Sequence, residues 1–587
     1  MPLSTCQNVL TTSISLLFKT SASLLLFIIV AILAISLYRL FLHPLAGIPG
    51  PRLAALSNIW HAYHARNGRM YHLGKTLHKR YGPVVRVGPN ELWFDSREAF
   101  RRIYNTLDLL SERVLSRYRL QRRLIGPLYQ LSSLKKFEPQ IDSVLSSAIT
   151  QLRSLKGEEV DLKEWMHIIA VECLGAVVLG WSPGYIRDKS EGGTSGQGYR
   201  GWKRKSVFGL FPLVTKVGFL EGKFRLGEKV GKGVGRWFSN LWGVTFSTPK
   251  GFKPFFTPVY QKSSKRIAAA LKGEVQDPRA KPSKSKKNKP AKVKEVARPH
   301  DLLEDLINLH KSKPDLFKET YLRRMATTNF GAGHETLCSA LTACMAMIGL
   351  HAGVQERVAE EVGTYLRGQG QAGGSGTVPF DTTAKQLPYT LAAIKEAQRL
   401  HPVIAMSLSR TVPRGTLHGK GGVVLHGHWV PEGTTVGCNP VALHRNREIF
   451  GEDADVYEPG RWLSSSFKSS SNNSNANSTP GSSNANSESN AESESESGFT
   501  SATDLEESEK KRLREMLHLN LTYGGGARTC PGRHLAELIL WKVVPRLLAE
   551  FRVEVTHMPG EEDMERYFMS MLTGVKVTFL EREGGGS

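Results

Sequence analysis

The stretch YGGGARTCPGRHLA, residues 523–536, places one cysteine at the junction between a glycine-rich loop and an apolar helical pattern. A disulfide needs a partner, and no second cysteine stands nearby in the sequence. A zinc site needs a second Cys or His pair, and His534 has no neighbours that complete a tetrahedral set. The question for function is therefore what Cys530 binds alone.

A lone thiolate can be the only protein ligand of an iron whose other positions belong to a porphyrin. The three glycines at 524–526 would let the backbone approach a flat macrocycle. A helix predicted to begin at Gly532 would place its positive dipole end near Cys530 and lower the pKa of the thiol. Arg528 would pair with a haem propionate. The alternative for such a string taken alone is a glycine-rich turn with a buried free cysteine.

The loop resembles the haem-binding loop of the cytochrome P450 family, which reads Phe-x-x-Gly-x-Arg-x-Cys-x-Gly. This chain has Tyr523, Gly526, Arg528, Cys530 and Gly532 at those places. Tyrosine replaces phenylalanine by another aromatic residue, which affects only the local hydrogen bonding. The resemblance implies that Cys530 is the axial ligand of haem b (iron protoporphyrin IX) and that the other four residues shape the cofactor site.

A second motif, KEAQRLHP, puts Glu396 and Arg399 three residues apart on a predicted helix, where the two can pair. Taken alone, such a pair is usually a surface ion pair. In the family this pair is completed by an arginine from a later loop, and YEPGRW supplies Arg461. Gly460 stands where the family usually has glutamate. The resemblance implies a triad that locks the fold around the haem.

A third motif, GAGHETLCSALT, lies in a helix predicted over Met325–Leu350. Burial of Glu335 and Thr336 without a partner or a function would cost free energy of folding. The alternative is a glutamate on the solvent side beside a threonine that bonds to the helix backbone. The resemblance places this helix across the distal haem face, with Gly333 near the cofactor. It implies that Glu335 and Thr336 deliver protons, through water, to iron-bound dioxygen. We expect His334 to be structural or substrate-facing rather than an iron ligand.

Two further arginines resemble the family's propionate ligands. Tyr118 and Arg122 loosely fit a helix that touches one propionate, and Arg410, in SLSRTVP, is the other candidate. Solvated arginines are the common alternative on a basic protein. Candidate substrate-pocket residues are mostly apolar, which indicates a small lipophilic substrate: 106–117, 330–336, 403–407 and 569–573.

Composition limits the class of protein. The chain has 587 residues, of which 40% are hydrophobic and 22% charged, enough apolar material for a sizeable core. Its six cysteines are too sparse for a disulfide framework and fit a reducing compartment. A formal net charge of +24 favours an anionic membrane surface or an acidic protein partner. No zinc-finger, basic-zipper or RNA-recognition motif is present, so no nucleic acid partner is expected.

An apolar run predicts a membrane anchor near the N-terminus. The 19 residues between Lys19 and Arg39 carry no charge and would span about 28 Å as a helix, close to the thickness of a hydrocarbon core. A cleaved signal peptide is the alternative, but the run is long for one and its basic flank lies mainly after it. By the positive-inside rule, the rest of the chain then lies in the cytosol. The following HPLAGIPGPRLA predicts a stiff spacer.

The sequence predicts one large domain with surface insertions. YGPVVRVGPNELWF alternates like a β-hairpin around residues 88–90. With the resemblance, the fold expected is mainly α with small β-sheets (α+β), the cytochrome P450 fold with one N-terminal transmembrane helix. The expected segments are a lumenal N-terminus (1–20), an anchor (21–38), a proline-rich hinge (39–55), a catalytic domain (56–583) and a flexible tail (584–587). Flexible insertions are expected at 188–204, where Gly192–Gly201 predicts a loop, at the lysine-rich 272–299, and at the Ser-, Asn- and Glu-rich 464–508.

The resemblance covers nearly the whole chain outside these insertions, and HPLAGIPGP, HKRYGPVVRVGPNEL and NPVALHRN look like membrane-bound fungal members. It implies a haem-thiolate monooxygenase of the endoplasmic reticulum membrane, in secondary metabolism or xenobiotic oxidation. Its electrons would come from NADPH through NADPH-cytochrome P450 reductase, with cytochrome b5 as a second candidate partner. The alternatives are an O2-independent isomerase, dehydratase or peroxygenase of the same fold, and a non-catalytic haem- or lipid-binding membrane protein.

Overall fold

The computed structural model describes residues 3–106, 112–209, 256–272, 299–370, 376–413, 421–464 and 502–582. These residues form a mainly α-helical fold with small sheets, as the sequence predicts. The helices are α1 Leu3–Leu37, α2 Arg52–Leu56, α3 Asn58–Arg66, α4 Met70–Tyr81, α5 Arg97–Arg101, α6 Glu112–Ile125, α7 Leu131–Leu134, α8 Glu138–Arg153, α9 Leu162–Leu174, α10 Tyr185–Asp188, α11 Thr194–Gly209, α12 Phe256–Leu271, α13 Leu302–Ser312, α14 Glu319–Leu350, α15 Ala352–Gly368, α16 Phe380–Gln386, α17 Pro388–Leu400, α18 Pro440–Leu443, α19 Arg447–Phe450, α20 Ala502–Leu519 and α21 Arg533–Glu550.

The described strands form three small sheets. The first has the order β1-β2-β7-β4, the second β3-β9-β8, and the third is the hairpin β5-β6. The hairpin predicted around residues 88–90 is confirmed, because β1 and β2 pair antiparallel with an irregularity between Arg86 and Gly88. The strands are β1 Val84–Gly88, β2 Glu91–Phe94, β3 Val160–Asp161, β4 Arg410–Thr411, β5 Gly422–Leu425, β6 His428–Pro431, β7 Thr435–Cys438, β8 Phe551–His557 and β9 Lys576–Glu581.

The long helix α14 runs through the core and carries the third sequence motif. The helix predicted over Met325–Leu350 is confirmed, and it begins earlier, at Glu319. From Leu337 to Ile348 every residue is buried, and all except Ser339 and Thr342 are apolar, as expected of a helix enclosed by others. Gly333 lies against α9, where an added Cβ would come within 3.0 Å of Leu174. The small residue therefore lets the two helices approach closely.

The prediction of a loop at Gly192–Gly201 is wrong, since the chain is helical from Thr194 to Gly209. Tertiary contacts outweigh the low helix propensity of its glycines. Tyr199 is buried, and its hydroxyl donates to the carbonyls of Glu565 at 2.6 Å and Met569 at 3.3 Å. These bonds hold the helix against the segment before β9.

The other two predicted insertions fall largely outside the described residues, which omit 273–298 and 465–501. The low-complexity segment predicted to extend to residue 508 ends earlier, because α20 already begins at Ala502. This helix leads directly toward the loop that carries Cys530.

The N-terminal segment contains one helix long and apolar enough to cross a membrane. Lys19–Leu42 has a mean hydropathy of 2.6 and none of it is buried against the rest of the chain, which is consistent with a membrane anchor. The spacer that follows is held by hydrogen bonds. The buried Arg86 donates to the carbonyls of Arg39 at 2.9 Å, Leu45 at 3.3 Å and Pro89 at 2.8 Å. The end of the anchor is thereby tied to the first sheet.

Candidate functional site

The Cys530 loop is closed by its own backbone between α20 and α21. The Cys530 N–H donates to the Tyr523 carbonyl at 2.8 Å, and the Thr529 N–H donates to the Gly526 carbonyl at 3.1 Å. Helix α21 then begins at Arg533 with Gly532 as its N-cap, as the sequence predicts. These bonds fix the position of Cys530 at the helix entrance.

Two glycines of this loop are required by its backbone conformation. Gly526 has φ of +64°, and an added Cβ would overlap the carbonyl oxygen of Tyr104. Gly524 has φ of +80°, also in the left-handed region. The sequence predicted these glycines as room for a flat cofactor. The structure adds that Gly526 is required by its contact with Tyr104.

Cys530 faces a cavity of about 340 Å³ between α6, α14 and α21. The opposite wall includes Gly333 and Thr336 of α14, so the structure brings these two predicted residues to the cysteine's cavity. A larger cavity of about 830 Å³ lies elsewhere, around Trp181, and contains none of the predicted site residues. Further walls are mainly apolar: Ile125, Leu174, Met325, Leu337, Leu535 and Ile539.

The cavity's chemistry fits a haem better than a bare metal ion. Among the described residues, no group of three His, Cys, Asp or Glu side chains could hold a metal. Cys530 is exposed and would be the thiol ligand, the walls are mainly apolar, and Arg122 would place a cation within the cavity lining. One soft ligand, apolar walls and a nearby cation suit an iron porphyrin with anionic propionates.

The pKa of Cys530 differs from the expectation. Burial raises the pKa of this thiol, although the Gly532 N–H and the Arg122 charge both act to lower it. The predicted lowering by the helix start is therefore outweighed by the apolar surroundings. A coordinating metal deprotonates a thiol outright, so the raised pKa does not oppose ligation.

The three predicted propionate ligands occupy different places. Arg122 lines the cavity and donates to the carbonyl of Thr529, directly before Cys530. Arg410 donates to the Gly525 carbonyl at 3.1 Å and lies over the Tyr104 ring at 4.9 Å, but it is not part of the cavity lining. Arg528 is exposed on the short 3-10 turn and does not line the cavity either.

Glu335 and Thr336, the predicted proton-delivery residues, have different surroundings. The Thr336 hydroxyl donates to the Ala332 carbonyl at 2.6 Å and borders the cavity. Glu335 is only 6% exposed and is not among the residues that line the cavity. Its Oε1 instead lies against α11, where a Cβ on Gly198 would collide with it. His334 is buried and bonded to His167, so it contacts neither Cys530 nor the described cavity.

The predicted triad is assembled and buried. Arg399 donates to both oxygens of Glu396, at 2.8 and 2.7 Å, and both side chains are fully buried. Arg461 donates to Glu396 at 3.2 Å and to Asp453 at 2.6 Å. The missing family glutamate at Gly460 therefore does not prevent closure of the triad.

Two residues near the triad were missed from the sequence. Trp462 donates its indole N–H to Glu396 at 2.8 Å. His444 accepts the Leu521 N–H at its Nε2, at 2.8 Å, and its Nδ1 lies 3.0 Å from the Arg399 carbonyl. His444 thus connects the triad to the start of the Cys530 loop. The signal was present, since His444 lies in NPVALHRN and Trp462 follows Arg461.

Comparison with known proteins agrees with the family resemblance of the Cys530 loop. A family model described as Cytochrome P450 matches residues 89–476, a range that ends before Cys530. The chain is 51% identical to the cytochrome P450 monooxygenase sdnT of Sordaria araneosa, over 94% of each chain. It is 24% identical to the cytochrome P450 monooxygenase gsfF of Penicillium aethiopicum, over 93% of this chain and 95% of that one. It is also 24% identical to a pisatin demethylase of Fusarium vanettenii, over 91% of each.

Proposed function

The chain belongs to the cytochrome P450 family and is a cytochrome P450 monooxygenase, and from this premise we propose that it oxidises a small lipophilic substrate at the cavity that Cys530 faces. The observation that carries the proposal is that Cys530 and Thr336 line the same mainly apolar cavity. A cysteine thiolate that ligates haem iron favours cleavage of the O–O bond, and the Thr336 hydroxyl is a proton donor that borders the same cavity.

Haem, when bound, supplies the activation of oxygen and the redox chemistry. The chain's own residues have separate tasks. The Cys530 thiolate holds the iron, while Arg122 fixes the preceding carbonyl and offers its charge to a propionate. Thr336 holds a proton at its hydroxyl on the opposite wall. The apolar side chains around them exclude water and favour a lipophilic substrate.

Electron supply and location complete the proposal. NADPH is the electron source, through NADPH-cytochrome P450 reductase, with cytochrome b5 as a second donor. The Cys530 loop carries the exposed Arg528, whose charge suits an acidic partner surface. The Lys19–Leu42 helix supports anchoring in the endoplasmic reticulum membrane with the catalytic domain in the cytosol.

The biological setting proposed is fungal secondary metabolism, because the similar proteins are fungal monooxygenases. One similar protein is named for the demethylation of pisatin, an activity of that protein. For this chain, the mainly apolar walls of the cavity support a small lipophilic substrate.

The test is the reduced, carbon-monoxide difference spectrum of the detergent-solubilised protein, beside the Cys530→Ala variant. A red-shifted band in the wild type that the variant lacks supports thiolate ligation by Cys530. NADPH consumption with purified reductase then separates a monooxygenase from an O2-independent enzyme, since the latter needs no NADPH. A folded wild type without a haem band would refute the proposal.

A further inference from the structure

A second cavity lies where the N-terminal apolar helix meets the rest of the chain. It has a volume of about 400 Å³ and is bounded by the end of that helix, the prolines and glycines that follow it, α2 and β1. Its lining residues are Leu40, Phe41, 46–51, Arg52, Ala55 and Arg86. Three separate parts of the chain therefore enclose one space that the proposed reaction at Cys530 does not use.

Arg86 brings a buried positive charge to this cavity. Its side chain is 2% exposed, and the three hydrogen bonds that it donates go to neutral backbone carbonyls. Its Nε has no hydrogen-bond partner. In the part of the chain that the structure describes, no carboxylate pairs with Arg86. Buried charges are normally paired, so the chemistry of this site suits an anion.

Two further arginines add to the positive charge around the cavity. Burial lowers the pKa of Arg86, and the charge of the nearby Arg39 lowers it further. Burial and then the charges of Arg86 and Arg39 also lower the pKa of His43, which is therefore neutral at pH 7. Arg52 is exposed at the start of α2 and lines the cavity. Among the described residues, neither Arg39 nor Arg52 pairs with a carboxylate.

Apolar side chains beside the cavity continue the surface of the N-terminal helix. Phe41, Leu42 and Leu53 are 71%, 75% and 65% exposed. Helix α2, which carries Leu53, packs against the π-helical turn Tyr38–Leu42 that ends the apolar helix. Exposed apolar side chains next to a membrane anchor suit contact with lipid. Basic groups thus surround the cavity, and apolar groups lie directly beside it.

The position of the cavity along the chain matches the headgroup layer of a membrane. The apolar helix ends at Leu42, and the residues that line the cavity stand directly before and after that end. The hydrocarbon core of a bilayer is about 30 Å thick, and the headgroups lie just outside it. Anionic phospholipids of the cytosolic leaflet attract Lys and Arg side chains at this depth. Three arginines without described carboxylate partners therefore favour an anionic headgroup over a zwitterionic one.

We propose that this cavity binds the headgroup of an anionic phospholipid of the cytosolic leaflet, whose acyl chains lie along Phe41, Leu42 and Leu53. The inference rests on the proposed function, in which the N-terminal helix anchors the chain with its catalytic domain in the cytosol. Arg52 donates to the phosphate oxygens, and the buried Arg86 stabilises their charge. Because the bound headgroup joins the anchor, α2 and β1, it fixes the orientation of the catalytic domain on the membrane.

The first test measures lipid retention by the full-length protein in detergent. Native mass spectrometry compares added phosphatidylserine with phosphatidylcholine of the same acyl chains, and we expect the wild type to retain one phosphatidylserine in preference. Arg52→Met should lower this preference about fivefold, the contribution of one cation near an anionic headgroup. Gly47→Phe should abolish it, because Gly47 lines the cavity with open space around its Cβ position and does not have a left-handed φ.

The matched control is Arg80→Met, which removes an exposed arginine of α4 that does not line the cavity. This variant should keep the wild-type preference, since it loses the same charge at a different place. Equal retention of the two lipids by the wild type would overturn the proposal. An equal loss of preference in Arg80→Met and Arg52→Met would overturn it as well, because the effect would then come from overall charge.

The second test reads the chain around the cavity in lipid nanodiscs. Hydrogen exchange in peptides covering residues 43–56 should be slower with phosphatidylserine than with phosphatidylcholine alone, in the wild type but not in Arg52→Met. Exchange that does not depend on the lipid would refute the headgroup site. Neither test uses haem, so a missing haem band would refute the proposed monooxygenase reaction and leave the lipid site standing. Release of the chain from membranes by alkaline carbonate would refute the proposed anchor, and the headgroup site with it.

Discussion

The carbonyl oxygen of Tyr104 occupies the space that a β-carbon on Gly526 would need. The contact joins the short π-helical turn after α5 to the Cys530 loop, so two distant parts of the chain fix one backbone conformation. Tyr104 is itself held, since its hydroxyl donates to the Leu408 carbonyl at 2.9 Å and accepts the Cys438 N–H at 2.9 Å. The loop is therefore packed against a rigid support.

Replacement of Gly526 tests this support directly. Gly526→Ala forces a side chain into a left-handed position and onto a carbonyl, which we expect to cost about 3 kcal/mol or more and to abolish haem retention. Gly532→Ala is the comparison within the loop, because its φ is −87° and an added Cβ lies 3.9 Å from the Cys530 sulfur. Denaturant unfolding and the carbon-monoxide spectrum give the readouts. Equal behaviour of the two variants would contradict the steric explanation.

Removal of the buried carboxylate of the triad should strongly destabilise the protein. Glu396→Gln leaves Arg399 buried without its counter-charge, and we expect a loss of about 3–5 kcal/mol in the free energy of unfolding. Glu319→Gln removes the partner of Arg323 in a helical ion pair at the surface and should change stability by less than about 0.5 kcal/mol. The denaturation midpoints of both variants measure this difference in stability. A mild effect at Glu396 would mean that its hydrogen bonds are replaced by other groups.

His444 should make the protein sensitive to acid. Burial, the main cause, lowers the pKa of His444 to about 3, and the Leu521 N–H occupies the nitrogen that would be protonated. The unfolded state binds a proton near pH 6.5, so this contribution is complete above that pH and is lost as the pH falls toward about 3. We expect a loss of about 5 kcal/mol over this window.

The non-titrating variant His444→Gln isolates this contribution. Unfolding midpoints of wild type and variant are measured from neutral pH to about pH 3. The variant should be less stable at neutral pH, and the difference should shrink as the solution is acidified. A constant difference across the range would show that His444 does not titrate between the folded and unfolded states.

Arg122 should matter for haem retention through its bond to the Thr529 carbonyl. Arg122→Met removes a charged donor from the cavity lining, and we expect a loss of about 2 kcal/mol in haem binding, near thirtyfold faster haem release. The adjacent, exposed Arg123→Met is the matched control and should release haem at the wild-type rate. Haem transfer to apomyoglobin measures both rates.

Deletion of the low-complexity residues 465–501 should leave haem binding intact, because a segment rich in Ser, Asn and Glu has too few apolar side chains to add much to the free energy of folding. The deletion joins Ser464 to Ala502 through a short flexible linker. The carbon-monoxide spectrum and the thermal midpoint provide the measurements. Loss of the haem band in the deletion variant would show that the insertion supports the Cys530 loop.

The sequence alone identified the residues whose chemistry is local or whose spacing is periodic. The lone cysteine, the glycines of its loop and the start of α21 follow from short-range patterns, since a left-handed turn and a helix entrance each select their own residues. The helix of Thr336 follows from its long apolar periodicity. Glu396, Arg399 and Arg461 were found by resemblance, because a pair three residues apart does not by itself reveal burial.

Only the tertiary structure decided which side chains meet. It packs α11 as a helix where its glycines predicted a loop, since the contact of Gly198 with Glu335 joins positions far apart in sequence. It separates Glu335 from Thr336, which are adjacent in the chain but point in different directions around a helix of 3.6 residues per turn. It also brings His167 to His334. Such contacts depend on how elements pack, and packing is a property of the whole core that no single segment encodes.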